Sequence, residues 1–301
     1  MKLSTLAPAK LNLCLYVGER RADGLHEICS LFQAVTLGDF VTMELAPGDH
    51  DEVVCPGVEG ENLAAVALAR FRERFAWHRP PVRVTIEKHI PIAGGLGGGS
   101  ADAGAVLRLA TRGSGVPARV EDLQELGVSI GADVPSQVQP GSHLVRGAGE
   151  IVERLPKTWH VAAVLLTNED GLDTGTVYDI HDQLRHGHGH GRRLEHDRGL
   201  LQEAVFTSGY DPLEFGSLLQ NDLEPPALRL LPEVRDALAL LREAGARVAR
   251  LSGSGPTAFG LFDSRREAEA AQAKIAPRWS GETIAVRQAP IDYALVRISS
   301  D

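Results

Sequence analysis

The sequence predicts an α+β fold of two lobes, and three observations predict it. At 301 residues, 43% hydrophobic and 24% charged, the chain can bury roughly 75% of the surface its unfolded form exposes, enough for one large or two ordinary cores. Segments that alternate like strands are interleaved with segments of helical apolar spacing. The pattern restarts near residue 156, so units 1–155 and 156–301 are expected to form two layered lobes packed across a cleft.

The N-terminal unit opens on strands. Residues 7–17 place Leu11, Leu13, Leu15 and Val17 on one face and Lys10, Asn12, Cys14 and Tyr16 on the other; Leu31–Thr36 and Phe40–Leu45 follow in the same style, as an antiparallel or mixed sheet. Residues 61–77 repeat apolar positions at helical spacing, and 82–90 alternate again. After a glycine run at 94–99, Ser100 can cap a helix over 101–112 with Asp102 in its first turn. A short helix over 119–127 and two short strands over 142–153 complete this unit. The second unit reads as a strand at 161–166, helical segments near 174–184, 199–205 and 213–220, and a longer helix at 226–244. Strands at 247–252 and 257–262, a helix at 264–275 and a strand at 282–288 end it.

Charge and cysteine content remove whole classes of function. A net charge of -9 with no basic tail lacks the electrostatic footprint of a nucleic-acid or anionic-membrane binder. Cys14, Cys29 and Cys55 form no CxxC pair and have no His at zinc-finger spacing, so they read as reduced, mostly buried thiols. No run approaches the ~18 apolar residues of a membrane span, and the alternating N-terminus lacks a signal-peptide core. A soluble cytoplasmic protein, monomer or weak homodimer, is expected. The histidine-rich tract at 181–196 reads as a solvated surface loop, because glycine between the histidines gives no fixed ligand geometry.

The 32 glycines exceed the usual share of about 7%, and their placement carries the chemistry. Pro91, Gly94, Gly95, Leu96, Gly97, Gly98, Gly99, Ser100 and Ala101 lead straight into a helix, where the absence of Cβ atoms, unpaired N–H groups and the positive dipole end suit phosphate. A flexible turn is the plainer reading of the same residues. No Lys-Ser or Lys-Thr follows, so this is not a Walker A loop, and no register fits GxGxxG. A second cluster at Leu251–Thr257, with Gly253 and Ser254, lies between two expected strands, as an ordinary hairpin turn also would. One such loop in each unit would suit a phosphate donor and an acceptor facing each other.

Phosphoryl transfer to an alcohol needs positioning, charge neutralisation and a carboxylate for the hydroxyl proton. Lys10, in an apolar strand beside Asn12, is either an edge residue or one held for a purpose. Asp133, in an apolar Gly-Ala-Asp-Val-Pro surround, is a turn or cap residue or a seated carboxylate. His26 follows a turn and reads as solvated or functional. Tyr178 reads as a buried helix face or a stacking platform, and Asn221-Asp222 as a helix end with capping side chains.

Pro91 to Ala101 resembles the ATP-binding motif of the GHMP kinase superfamily, and Leu251–Thr257 its C-terminal glycine motif. Within it the ordered stretches Pro8–Leu13, Arg21–His26, Leu31–Gln33, Gly131–Pro135, Gly147–Glu150 and Asn221–Pro225 are similar to the family of kinases acting on 4-diphosphocytidyl-2-C-methyl-D-erythritol. The resemblance implies an N-terminal ATP-binding lobe, a ferredoxin-like C-terminal lobe, and Mg²⁺-ATP-dependent phosphorylation of that small molecule's 2-hydroxyl. It implies Asp133 as general base with Lys10 beside it, and residues 94–101 on the ATP phosphates. Asn12 would meet the erythritol, His26 the cytosine edge, and Thr174 and Tyr178 the cytidine, with no side chain assigned to the metal. Leu25 departs from the pattern, standing where many members carry a second aromatic for the base. Another GHMP kinase, acting on mevalonate, homoserine or a sugar, and a non-catalytic nucleotide sensor are the alternatives.

Overall fold

In a computed structural model, residues 2–78, 80–156, 161–185, 191–207 and 211–299 are described. The first element is a long antiparallel hairpin of β1 (Lys2–Arg20) and β2 (His26–Leu45). There follow β3 (Glu52–Val54), α1 (Leu63–Arg74), β4 (Val82–Glu87), α2 (Gly98–Ser114), α3 (Val120–Val128), α4 (Val134–Gln137), β5 (Ser142–Gly147) and β6 (Ile151–Arg154). One sheet runs β3-β4-β2-β1, with β5 pairing the N-terminal half of β2 and β6 pairing β5. Only the β3–β4 pairing is parallel within it.

The remaining chain builds a second sheet: β7 (Ala162–Leu166), α5 (Thr174–Arg185), α6 (Gly191–Thr207), α7 (Glu224–Leu230), α8 (Glu233–Glu243), β8 (Val248–Leu251), β9 (Ala258–Phe262), α9 (Arg265–Ile275) and β10 (Thr283–Arg287). Its antiparallel order β10-β7-β9-β8, with helices entered between first and second and between third and fourth strands, is the ferredoxin-like arrangement. A last strand, β11 (Arg297–Ser299), crosses back to pair with β1. Val164, Leu166, Leu238, Leu241 and Ile275 form the core under this second sheet. A larger core spans β1, β2, α1 and α2 and continues into the second lobe through Leu165 and Phe259.

Several expectations are corrected. The strands expected at 31–36 and 40–45 are one strand, because the register shift between Pro8 and Lys10 lets β1 stay paired across Gly38, whose missing Cβ would lie 3.0 Å from the Ala7 carbonyl. Lys10 is not an exposed edge residue: it pairs with Ala34 of β2 on one side, its N–H bonds Leu96 O on the other, and it is only 5% exposed. Ser100 does not cap α2; Gly97, with φ 69°, does, and Asp102 turns into the interior instead of facing solvent at the helix start. The helix expected at 226–244 breaks at Leu231-Pro232, since proline brings no N–H to continue α7. Only a single 3₁₀ turn at 216–218 stands where a helix over 213–220 was expected. The histidine tract is not one loop, because 181–185 end α5 and 191–196 begin α6, and His181 is buried; residues 186–190 lie outside the described residues.

The thiols fit the sequence reading: Cys14 and Cys29 are buried and unpaired, and burial pushes the Cys29 thiol up to about 12. Among the described residues no helix is long and apolar enough to cross a membrane.

Candidate active site

The two glycine loops touch each other, and Lys10 and Asp133 stand where they meet. In the first loop every carbonyl is spent. Gly94 O accepts from Thr257 N (3.3 Å), Gly95 O from Ser252 Oγ (3.1 Å), Leu96 O from Lys10 N (3.0 Å) and Gly97 O from Ala101 N (2.8 Å). The N–H groups of Gly94 through Ser100 have no hydrogen-bond partner among the described residues. A loop pinned by its carbonyls with its donors left open at a helix start is an anion cradle. Glycine is required there by contact as well as by conformation: a Cβ on Gly95 (φ +74°) would sit 2.3 Å from Ser252 O, and one on Gly97 would sit 3.0 Å from the Lys10 side chain and 3.5 Å from Asp133 Oδ2.

Lys10, carried on β1, points its ammonium at this corner. Its Nζ lies 3.2 Å from Asp133 Oδ2, donates to Asn12 Oδ1, and stands 4.8 Å over the Phe32 ring. Asp133 precedes the one-turn α4, whose Pro135 at the helix start fixes the entering chain. The carboxylate is the more accessible partner, with 28% side-chain exposure against 6% for Lys10. Asn12 has both amide atoms engaged, by Lys10 and by Ser30 Oγ at 3.0 Å, while its N–H meets Ser252 Oγ. A half-open carboxylate beside a buried cation and next to an anion cradle can accept a proton from a hydroxyl aimed at a phosphoryl group.

A cavity of about 910 Å³ joins these groups. Of the residues singled out in the sequence, Lys10, Asn12, His26, Pro91, Gly94–Ser100, Asp133, Thr174, Tyr178, Gly253 and Ser254 all line it. Ala101 does not; it is fully buried and its N–H closes the first helical turn. At the far end Tyr178 stacks on His26, with ring centroids 5.0 Å apart and planes at 28°. His26 is buried, not solvated, with Nδ1 3.2 Å from Gly18 O and Nε2 3.4 Å from Asp182 Oδ2. Burial and the negative charge of Asp133 hold the Tyr178 phenol well above its ordinary range. Leu25 is 52% exposed at the same rim. Thr174 Oγ1 and Ser254 Oγ are 2.9 Å apart, joining α5 to the second glycine loop.

Sequence reasoning missed two supports. Asn221 is more than a cap: its Nδ2 donates to Leu251 O and Gly253 O, both at 2.8 Å, bracing the second loop from below. Beneath the first loop, Lys88 Nζ is held between Asp39 Oδ2 (2.5 Å) and Asp102 Oδ2 (2.8 Å), and Asp39 Oδ1 accepts from His89 N and Ile90 N. Burial pushes the Asp102 carboxyl up to about 7, with Lys88 opposing and Asp39 adding to the rise. Asp102 Oδ1 is buried without a partner. Lys88 and Asp102 flank the glycine run in sequence, which was the one available signal; Asp39 is remote and gave none.

These features define a class, a small-molecule kinase in which a glycine cradle on one lobe faces a ferredoxin-like lobe. Family models described as "GHMP kinases N terminal domain" and "GHMP kinases C terminal" match residues 62–141 and 195–280. A relative from Novosphingobium aromaticivorans is 39% identical, covering 93% of this chain and 91% of the relative, and one from Paracoccus denitrificans is 40% identical, covering 91% and 93%; each is named 4-diphosphocytidyl-2-C-methyl-D-erythritol kinase. A crystal structure of 4-(cytidine 5'-diphospho)-2C-methyl-D-erythritol kinase superposes with a TM-score of 0.75 at 31% identity, over 95% of this chain and 100% of the other. The chain belongs to the 4-diphosphocytidyl-2-C-methyl-D-erythritol kinase family of GHMP kinases.

Proposed function

We propose that the chain transfers the γ-phosphoryl group of ATP to the 2-hydroxyl of 4-diphosphocytidyl-2-C-methyl-D-erythritol. The observation that carries this reading is the Lys10–Asp133 pair, 3.2 Å apart at the mouth of the glycine cradle. Asp133 takes the proton of the 2-hydroxyl as its oxygen bonds to the γ-phosphorus, and the bond from that phosphorus to the β-bridging oxygen breaks to release ADP. Lys10 orients Asp133 through their ion pair and offsets negative charge at the reacting oxygen. The open N–H groups of Gly94–Ser100 hold the phosphates, and Gly253 and Ser254 extend the same wall from the other lobe. Asn12 would meet the erythritol hydroxyls by exchanging part of its present bonding. The base would enter at Tyr178, with His26 reading its edge in place of Asp182, and Leu25 would cover the other face with an aliphatic side chain. Stacking on an aromatic is worth about 1–3 kcal/mol per base, so this substitution bears on nucleotide affinity.

The residues at the end of the glycine run also fit a magnesium ion. Ser100 has no side-chain hydrogen bond among the described residues, and Asp102 Oδ1 is an orphaned buried oxygen. Mg²⁺ is usually held by one or two such oxygens plus substrate phosphates. When bound it would neutralise charge on the β- and γ-phosphoryl oxygens.

The test is ADP formation by the purified chain with the cytidyl-erythritol, mevalonate, homoserine and a hexose as acceptors. Turnover is expected with the first, and Asp133→Asn is expected to lower kcat about 10²-fold or more with ATP affinity retained. Turnover only with another acceptor defeats the proposed substrate, and a near-normal rate in Asp133→Asn removes the base assignment.

A further inference from the structure

A second cavity, of about 750 Å³, lies at the other end of α2 from the glycine cradle. Thirteen residues of helix separate Gly98 from Thr111, roughly 20 Å of rise. The walls come from the last turns of α2, the 115–123 segment, residues 138–140 after α4, the end of β6 and the 291–296 stretch near the C-terminus. That stretch is tied down: Thr5 Oγ1 donates to Ala294 O (2.8 Å), Tyr293 Oη donates to Thr36 O, and β11 pairs with β1. The cavity is therefore built into the first lobe.

Its lining is unusual in charge. Arg108, Arg112 and Arg154 line it, no Asp or Glu does, and none of the three arginines forms an ion pair among the described residues. In a chain with 40 acidic against 31 basic residues, this is the reverse of the general balance; Arg20, Arg21, Arg72, Arg83, Arg247 and Arg278 are all paired. Arg108 spends Nη1 on Gln137 O (2.6 Å) and Nη2 on Leu6 O (2.9 Å), and its Nε is buried without a partner. Burial with no neighbouring anion lowers that guanidinium to about 9. The field of Arg154 reaches His143, whose ionisation is pushed down to about 4 by burial first and by Arg154 second. The negative end of the α2 dipole offsets about half a charge, which leaves most of three cations unneutralised. The rest of the lining is aliphatic, including Val116, Leu123 and Leu295, and Leu295 is 61% exposed.

We propose that this cavity binds a small amphipathic anion, a phosphate or carboxylate on a short aliphatic body, at a site separate from the phosphoryl-transfer cleft. The exposed guanidinium groups of Arg112 and Arg154 take the anion, Arg108 supplies further positive potential from behind, and the aliphatic wall covers the body.

The test is calorimetric titration with octyl phosphate below its aggregation concentration, with ADP saturating the kinase cleft. Inorganic phosphate and octan-1-ol serve as half-ligands, and Arg112→Ala/Arg154→Ala as the variant chain, whose exposed substitutions leave the fold intact. Octyl phosphate is expected to bind once per chain, with each half-ligand and the double variant about 10-fold weaker or worse, the loss of one charge-assisted hydrogen bond. Absence of binding, equal binding by the double variant or by octan-1-ol, or displacement by ADP would each overturn the proposal.

Discussion

The two glycine loops look alike in sequence and do different work. In the loop at 94–99 the carbonyls are anchored to both lobes while the N–H groups stay open. In the loop at 251–257 more of the polar groups are turned inward: Ser252 N bonds Thr257 O, Gly255 N bonds Ser252 O, and Asn221 holds two carbonyls from beneath. Among the described residues only the N–H groups of Gly253 and Ser254 remain open there, and both residues line the cleft. In the first loop glycine leaves the backbone N–H groups uncovered, the feature on which the proposed phosphate site rests; in the second it lets another backbone, and Lys10, reach past it. A Cβ on Gly253 would lie 3.2 Å from Asn12 Oδ1 and 3.5 Å from Lys10 Nζ. Glycine content thus marks close approach, and only the direction of the peptide groups says what approaches.

The contact between the loops is the place to break this arrangement, and Gly95→Ala should have the largest effect. Its Cβ would overlap the Ser252 carbonyl at 2.3 Å and also meet Gly255, in a backbone conformation of φ +74°. Left-handed strain and overpacking each cost about 1–3 kcal/mol, so the urea midpoint should fall sharply and turnover should vanish with it. A variant of normal stability and rate would mean that the loops are not in contact in solution.

How much of this is legible in the sequence follows from how local each signal is. The glycine cradle, the helix after it and the order of the elements depend on neighbours within a few residues, and they can be read directly. Lys10 could be noticed but not placed, because the groups that close around it come from far along the chain: Leu96 O and Gly97 in the first glycine loop, Asp133 before α4 and Gly253 in the second loop. The Asp39–Lys88–Asp102 cluster joins residues 49 and 14 apart, and Asp39 looks like any turn aspartate. His26 follows a visible turn, yet α5 buries it through Tyr178. The break at Pro232 was visible in the sequence and was overridden by an apolar pattern continuous across it.

A smaller change separates the two uses of glycine. Gly99 has helical geometry, and a Cβ there would meet nothing closer than Leu63 Cδ1 at 3.6 Å. Gly99→Ala should therefore leave stability unchanged or raise it by up to about 1 kcal/mol. If the Gly99 N–H faces phosphate, the KM for ATP should rise about fivefold, the value of one weakened hydrogen bond. A changed urea midpoint with an unchanged KM would assign Gly99 to packing, like its counterparts in the second loop.

The smallest change in stability is expected from Asp102→Asn, and it is read against pH. In the native chain burial raises this carboxyl to about 7, against an ordinary value of 3.8. The native state therefore holds a proton that the unfolded chain has released, and stability falls as pH rises through the interval from about 4 to about 7. Asparagine cannot ionise, yet its oxygen can still accept from Lys88. The variant should match the native chain near pH 4, lose less stability on the way to pH 8, and be the more stable of the two there. Urea midpoints at pH 5 and pH 8 check this, and parallel slopes for the two chains would mean that another group titrates beneath the cradle. A flattened slope would show that the first loop rests on a proton-sharing support as well as on its carbonyl anchors.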